Sequence, residues 1–169
     1  MSLEPVPDDL VAASRAYRRT LGTFATGVCV MTAWTPDGGV GLTANSFASV
    51  SLDPRLILWS IAHDAERHAA FASAERFGVH VLGADDRARA ERFAFGEPRL
   101  APDDLTDAHG APRLRDVLAR LECLTHERHE VGDHTVIIGR VVEFQGEPGP
   151  ALTYFRGGFG RLGVEGEQA

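Results

Sequence analysis

The stretch Gly41–Ser51, GLTANSFASVS, narrows the possible folds more than any other part of the chain. It carries no charge, and most of its residues are small or bear a hydroxyl. At period two, Leu42, Ala44, Ala48, Val50 and the following Leu52 share one side, with Ser46 the only polar member. Thr43, Asn45, Ser49 and Ser51 share the other, with Phe47 among them. Alternate residues of a strand face opposite ways, so one face suits a core and the other offers hydroxyls, an amide and one ring. An ordinary half-buried strand with a wet polar face shows the same alternation. A wet face usually carries Lys, Glu or Arg, however, and this one carries none. Small residues also let a ligand approach the backbone closely. The stretch therefore reads as a strand with one face to a core and one to a ligand.

The segments around it read as further strands and a few helices. Asp8 or Asp9 caps a first helix, along which Leu10, Ala13, Tyr17, Leu21 and Phe24 recur at helical spacing. Val28–Trp34 reads as a central strand, and Pro36-Asp37-Gly38-Gly39 as the hairpin turn that leads into the organising strand. Leu56–Ala62 and Phe77–Leu82 read as buried strands, with a short helix over Ala65–Ala74 between them, capped by His63-Asp64. Asp85 or Asp86 caps a third helix running to about Phe95. Gly96–Pro112 is a long loop that reads as a lid or cover. Val117–Thr125 and Thr135–Phe144 pair around Val131-Gly132-Asp133. The second is apolar on both faces, as expected of a barrel wall that also meets a partner subunit. Leu152–Arg156 is the last strand expected, before a Gly-rich tail over Gly157–Ala169. This gives one domain over residues 1–169: mainly β, six or seven strands with two or three helices, rolled so that no edge stays bare.

Charge and composition exclude several functions. A net charge of -7 argues against nucleic acid as a partner. All 17 basic residues are Arg, so a Lys Schiff base is excluded. Cys29 and Cys123 form no CxxC and fit reduced thiols in a cytoplasmic protein. The acidic, Pro-rich start is not a signal peptide, and no apolar run reaches membrane-spanning length. Gly158–Gly163 matches GxGxxG, but too few residues follow it for the helix that the dinucleotide fingerprint requires. Cys123, His126, His129 and His134 alternate across a strand, so no metal site is expected. Asp133 and His134 form no Ser–His–Asp triad, since strand neighbours diverge and no nucleophile elbow is present.

Four segments together carry a family resemblance: Arg19–Ala33 (RTLGTFATGVCVMTA), Gly41–Pro54 (GLTANSFASVSLDP), Gly132–Val141 (GDHTVIIGRV) and Leu152–Leu162 (LTYFRGGFGRL). In order and spacing they resemble the flavin reductases that supply reduced flavin to two-component monooxygenases, such as the reductase component of 4-hydroxyphenylacetate monooxygenase. The resemblance implies an FMN-binding split β-barrel and a homodimer. It also implies hydride transfer from NADH or NADPH to FAD or FMN, followed by release to a monooxygenase or halogenase.

The resemblance also assigns site residues. Thr26, Gly27, Val28, Thr43, Ala44, Asn45 and Ser46 would line the flavin ring, and Ser49, Val50 and Ser51 would follow the ribityl chain and phosphate. Ser60, Ala62, Arg67 and His68 would hold the phosphate, although Asp64 and Glu66 depart from the family's usual Asn-x-Ser-Ser-x-Thr there. His134 would meet the nicotinamide, with Asp133 fixing the turn or the imidazole tautomer. Tyr154, Arg156 and Phe159 would close over the pyridine nucleotide. Other readings of the same resemblance are a tightly held FMN, as in pyridoxamine-phosphate-oxidase-like barrels, a flavin-binding module without activity, and a corrin reductase.

Overall fold

The computed structural model describes residues 9–106 and 110–163. The Pro-rich start and the end of the Gly-rich tail lie outside the described residues. Helix α1 (Leu10–Leu21) is capped by Asp9, whose carboxylate accepts the Val11 N–H at 2.9 Å. Among the described side chains, none on its apolar side joins a core. Tyr17 and Leu21 are 65% and 54% exposed, and Phe24 lies beyond the helix end.

Strands β2 (Cys29–Thr35) and β3 (Gly38–Ala44) form the expected hairpin, following a two-residue strand β1 (Thr26–Gly27). The organising stretch is two strands rather than one. β3 ends at Ala44, and β4 spans Ala48–Leu52. β5 (Arg55–Ala62), β6 (Arg76–Val81), β7 (Ala119–Val131) and β8 (His134–Gly146) complete an antiparallel sheet of order β3-β2-β6-β7-β8-β5-β4. The two halves of the stretch thus occupy opposite edges, joined only by Asn45, Ser46 and Phe47. Such a link spans at most about 15 Å, so it draws the edges together and the sheet must roll up. No ladder joins β3 to β4, so the roll is a split barrel and not a closed one.

The break also reverses the expected facing. Phe47 packs on the interior, whereas Val50 and Leu52 turn outward, 49% and 90% exposed. A bulge between Ser49 and Ser51 adds to the shift. Inside the roll, Met31, Trp59, Phe77, Val79 and Ile137 pack together. Helix α2 (His68–Ser73) inserts Phe71 edge-on against Trp59, ring centres 5.3 Å apart. α2 begins later than expected, because His63 and Asp64 belong to the preceding turn.

A second core lies on the outer side of β2, where Val28, Val30, Leu82, Phe93 and Leu152 meet. It is covered by helix α3 (Arg87–Phe95) and a small sheet of order β1-β9-β10, with β9 at Ala151–Phe155 and β10 at Gly158–Leu162. α3 sits close because Gly41 has no side chain; a Cβ there would lie 2.7 Å from the Phe93 ring. β10 occupies part of the expected tail, including all but the last residue of the GxGxxG match.

The long loop runs along β3 and covers that edge. Gly41 N–H donates to Pro98 O at 2.7 Å, and Leu100 N–H to Gly39 O at 2.9 Å. Farther along, the Thr32 hydroxyl donates to Pro112 O at 2.6 Å. Among the described residues, no helix is long and apolar enough to cross a membrane.

Candidate functional site

Thr26, Tyr154 and Phe159 are directly opposed across β1, β9 and β10. Opposed residues of antiparallel strands share a face, so the three form one row, and the Tyr154 and Phe159 rings meet edge-on at 5.3 Å. The tight turn Arg156-Gly157, with φ of 49° and 82°, holds β9 against β10. Arg156 N–H also donates to Gly22 O at 2.8 Å, tying this sheet to the exit of α1.

Two open clefts flank the row and share Asn45 and Tyr154. The first, about 480 Å³, lies between the small sheet and α3, and Val28, Thr43, Phe159, Arg87, Glu91 and Phe95 contribute to its walls. The second, about 490 Å³, lies toward α1 and is lined by Thr26, Arg18, Leu21 and Phe24. Both volumes suit a small organic ligand.

Six residues singled out from the sequence therefore come together: Thr26, Val28, Thr43, Asn45, Tyr154 and Phe159. Their polar groups are not equally free. The Thr43 hydroxyl donates to Ala90 O at 2.7 Å and anchors α3. The Thr26 hydroxyl is buried and has no hydrogen-bond partner among the described residues, and Asn45 is exposed in the shared wall. A buried hydroxyl without a partner is costly. One orphaned hydroxyl, one exposed amide and two aromatic rings fit a planar heterocycle with a polar edge, which is the chemistry of a flavin ring.

Other expected contacts lie elsewhere. Gly27 is in the β1–β9 ladder, and the Ala44 methyl is in the barrel core, so each has only backbone to offer. The Ser46 hydroxyl is bound to the main chain of Ser60. Ser49, Val50 and Ser51 sit on β4, and Ser60 and Ala62 on β5, outside the lining of both clefts. The Arg156 guanidinium stacks on Phe155, 5.2 Å from the ring centre. Arg67 donates to Phe93 O at 2.9 Å and to Gly96 O at 3.0 Å, closing the end of α3. His68 Nε2 contacts the Thr135 hydroxyl at 2.8 Å, and that hydroxyl in turn reaches Glu130.

His134 opens β8, with Nδ1 2.6 Å from Asp133 Oδ1. The two neighbours meet because Asp133 belongs to the turn and not to the strand. The hydrogen bond from His134 holds the Asp133 carboxyl below its usual range. A bulge between Thr125 and Glu127 changes facing in the same way, so His126 and His129 both reach Glu127, at 3.7 and 2.8 Å. Among the described residues, no three His, Cys, Asp or Glu side chains are placed to hold a metal. Burial pushes the Cys29 and Cys123 thiols up to about 12, which keeps them protonated and inert.

The sequence reading missed Arg87, Glu91 and Phe95. Their signal was a spacing of four on α3, which sets them in one row, ending in an aromatic residue that is 90% exposed.

Comparison with known proteins identifies the family. Residues 21–163 match the family model described as the flavin reductase like domain. The FMN reductase (NADH) SmoA of Agrobacterium fabrum is 46% identical over 152 residues, covering 88% of this chain and 86% of that protein. The chain spans 64% of the stachydrine N-demethylase reductase subunit of Rhizobium meliloti, at 40% identity over 86% of its own length. It spans 48% and 50% of two further reductases. The solved structure of the Streptomyces globisporus NADH:FAD oxidoreductase with NAD and FAD fragments superposes with a TM-score of 0.85 at 33% identity, covering 99% of this chain and 100% of that one.

Proposed function

The chain belongs to the flavin reductase like domain family, and from that premise we propose that it reduces FMN or FAD with NADH and releases the reduced flavin to a separate oxygenase. The observation that carries this is the row Thr26–Tyr154–Phe159 beside Asn45, with a hydroxyl that lacks a partner until a ligand arrives. Bound flavin would supply the acceptor for the hydride, one proton with two electrons, that a reduced nicotinamide gives up. The chain's own residues bind and orient. The Thr26 hydroxyl and the Asn45 amide hydrogen-bond the polar edge of a ring. Tyr154 and Phe159 give an apolar face and exclude water. Hydride transfer between stacked rings needs no proton donor in the step, so positioning dominates. Asp133 accepts from His134 Nδ1 and so fixes that imidazole for a nicotinamide amide. Ser49, Ser51 and Ser60 on β4 and β5, with His68 at the start of α2, would meet the flavin's chain and phosphate outside the two clefts.

The protein works as a single domain and as a homodimer in the cytoplasm. The second copy covers the outward apolar residues Val50, Leu52, Val142 and Phe144, which are exposed in the single chain. Both clefts are open, which favours exchange of flavin over permanent retention. The reduced product suits an oxygenase that uses free reduced flavin, and flavin monooxygenases and halogenases are the candidate recipients.

The test mixes pure protein, NADH and FMN or FAD and follows nicotinamide absorbance. Rapid loss is expected. Absence of turnover with both flavins and both nicotinamides would remove the reading. A yellow protein that keeps its FMN through dialysis would favour the oxidase-like alternative.

A further inference from the structure

Arg87 and Glu91 are the only charged residues among the described residues that line the first cleft. They face each other, Arg87 Nε to Glu91 Oε1 at 2.8 Å. The Arg87 guanidinium also lies 5.7 Å from the centre of the Phe159 ring, so the cation is held against the cleft's aromatic wall. An exposed pair of this kind contributes little to stability. Its effect falls instead on whatever enters the cleft, whose side-chain charge it brings to zero.

Tyr154 and Phe159, which the family resemblance assigns to the pyridine nucleotide, line this cleft, and resting on the proposed function with the donor's adenosine on this side of the row, we propose that Glu91 is a specificity-determining residue that selects NADH over NADPH. The two donors differ only in the 2′-phosphate of the adenosine ribose, which adds nearly two negative charges. A carboxylate accepts a hydrogen bond from a free ribose hydroxyl and repels a phosphate, whereas an unengaged guanidinium is a preferred phosphate partner. Glu91 does both kinds of work. It presents the carboxylate, and it occupies the one cation that a 2′-phosphate could use. Phe95, 90% exposed at the end of the same helical row, gives the adenine a surface on which to stack.

The experiment compares wild type, Glu91→Gln, Glu91→Ala and the double variant Glu91→Gln/Arg87→Ala. Two quantities are read: the ratio of kcat/KM for NADPH to that for NADH, and calorimetric binding of adenosine 2′,5′-bisphosphate against 5′-AMP. Both single variants are expected to raise the ratio about tenfold and to shift binding toward the bisphosphate. The double variant is expected to lose that gain, and all four proteins to melt together. A working reductase whose ratio and ligand preference ignore Glu91→Gln overturns the inference alone. A wild type that oxidises neither dinucleotide overturns the reading beneath it and the inference as well.

Discussion

The Ser46 side chain completes the main chain of Ser60. Its hydroxyl donates to Ser60 O at 2.9 Å and accepts the Ser60 N–H at 3.0 Å. The β4 ladder extends along β5 only as far as Leu58, so Ser60 faces the seam where β3 and β4 part. One hydroxyl therefore does the work of an absent strand. Ser46→Ala leaves two half-buried backbone groups unpaired and is expected to cost about 1–3 kcal/mol. Ser46→Thr keeps the hydroxyl and should lose much less. Urea unfolding of the two variants checks this, and a wild-type midpoint for Ser46→Ala would show that the seam is held by other contacts.

His80 gives the fold a pH dependence. It is fully buried, its Nδ1–H donates to Val30 O at 3.1 Å, and its Nε2 accepts the Leu114 N–H at 3.1 Å. The second bond requires the neutral ring, because a protonated Nε2 cannot accept, whereas the first survives protonation. Burial, with smaller repulsion from Arg120, Arg89 and Arg113, pushes the imidazole down to about 4 from 6.5. The unfolded chain therefore binds the extra proton first. Stability from His80 is complete above pH ~6.5 and is lost as pH falls toward ~4, by about 3 kcal/mol in all. The expected result is a steeper fall in unfolding free energy over that window for wild type than for His80→Gln, whose amide does not titrate. Parallel curves would show that the ring is not held neutral.

The legible parts of the fold were those with local chemistry. Asp8 or Asp9 announces α1, Pro36-Asp37-Gly38-Gly39 the first hairpin and Val131-Gly132-Asp133 the last long one; Asp9 is the cap, and a turn forms at each of the other two. The break in Gly41–Ser51 was not legible, because Asn45-Ser46-Phe47 contains no Gly or Pro. Its conformation is imposed by two sheet edges that the sequence does not show to be near each other. β10 was hidden for a related reason: three glycines in GGFG read as loop, and the strand exists through its ladder with β9. Within the site, the residues that neighbour Thr26 in space were legible through the family pattern. The α3 wall was not, since a row of Arg87, Glu91 and Phe95 looks like any solvated helix face until its partner sheet is known.

Arg67 separates a structural role from a phosphate contact. Its guanidinium closes the last turn of α3 through Phe93 O and Gly96 O, the carbonyls that such a helix end leaves unpaired. Arg67→Ala is expected to cost about 1–3 kcal/mol and to loosen Phe95 with the helix end. Affinities for FMN and riboflavin should then weaken by the same factor. A loss confined to FMN would show that Arg67 turns to the phosphate when ligand is bound.

Asn45 and Thr26 supply the last prediction. Asn45 stands in the wall shared by both clefts, and the Thr26 hydroxyl is opposite Tyr154 in the row. If they are the donors to the polar edge of the ring, each contributes one net hydrogen bond, on the order of 0.5–1.5 kcal/mol. Thr26→Val keeps shape and removes the hydroxyl; Asn45→Ala removes the amide. Each should raise the flavin Kd by roughly three- to tenfold, and the pair should combine nearly multiplicatively because the two groups share no hydrogen bond. At saturating flavin kcat should change little, because the step depends on ring overlap, which Tyr154 and Phe159 maintain. Tyr154→Leu removes an aromatic face and should lower kcat as well as affinity, whereas Tyr154→Phe should not. Fluorescence titration gives the affinities and steady-state kinetics the rates. Flavin affinity untouched by both Thr26→Val and Asn45→Ala would mean that the ring lies elsewhere than beside this row.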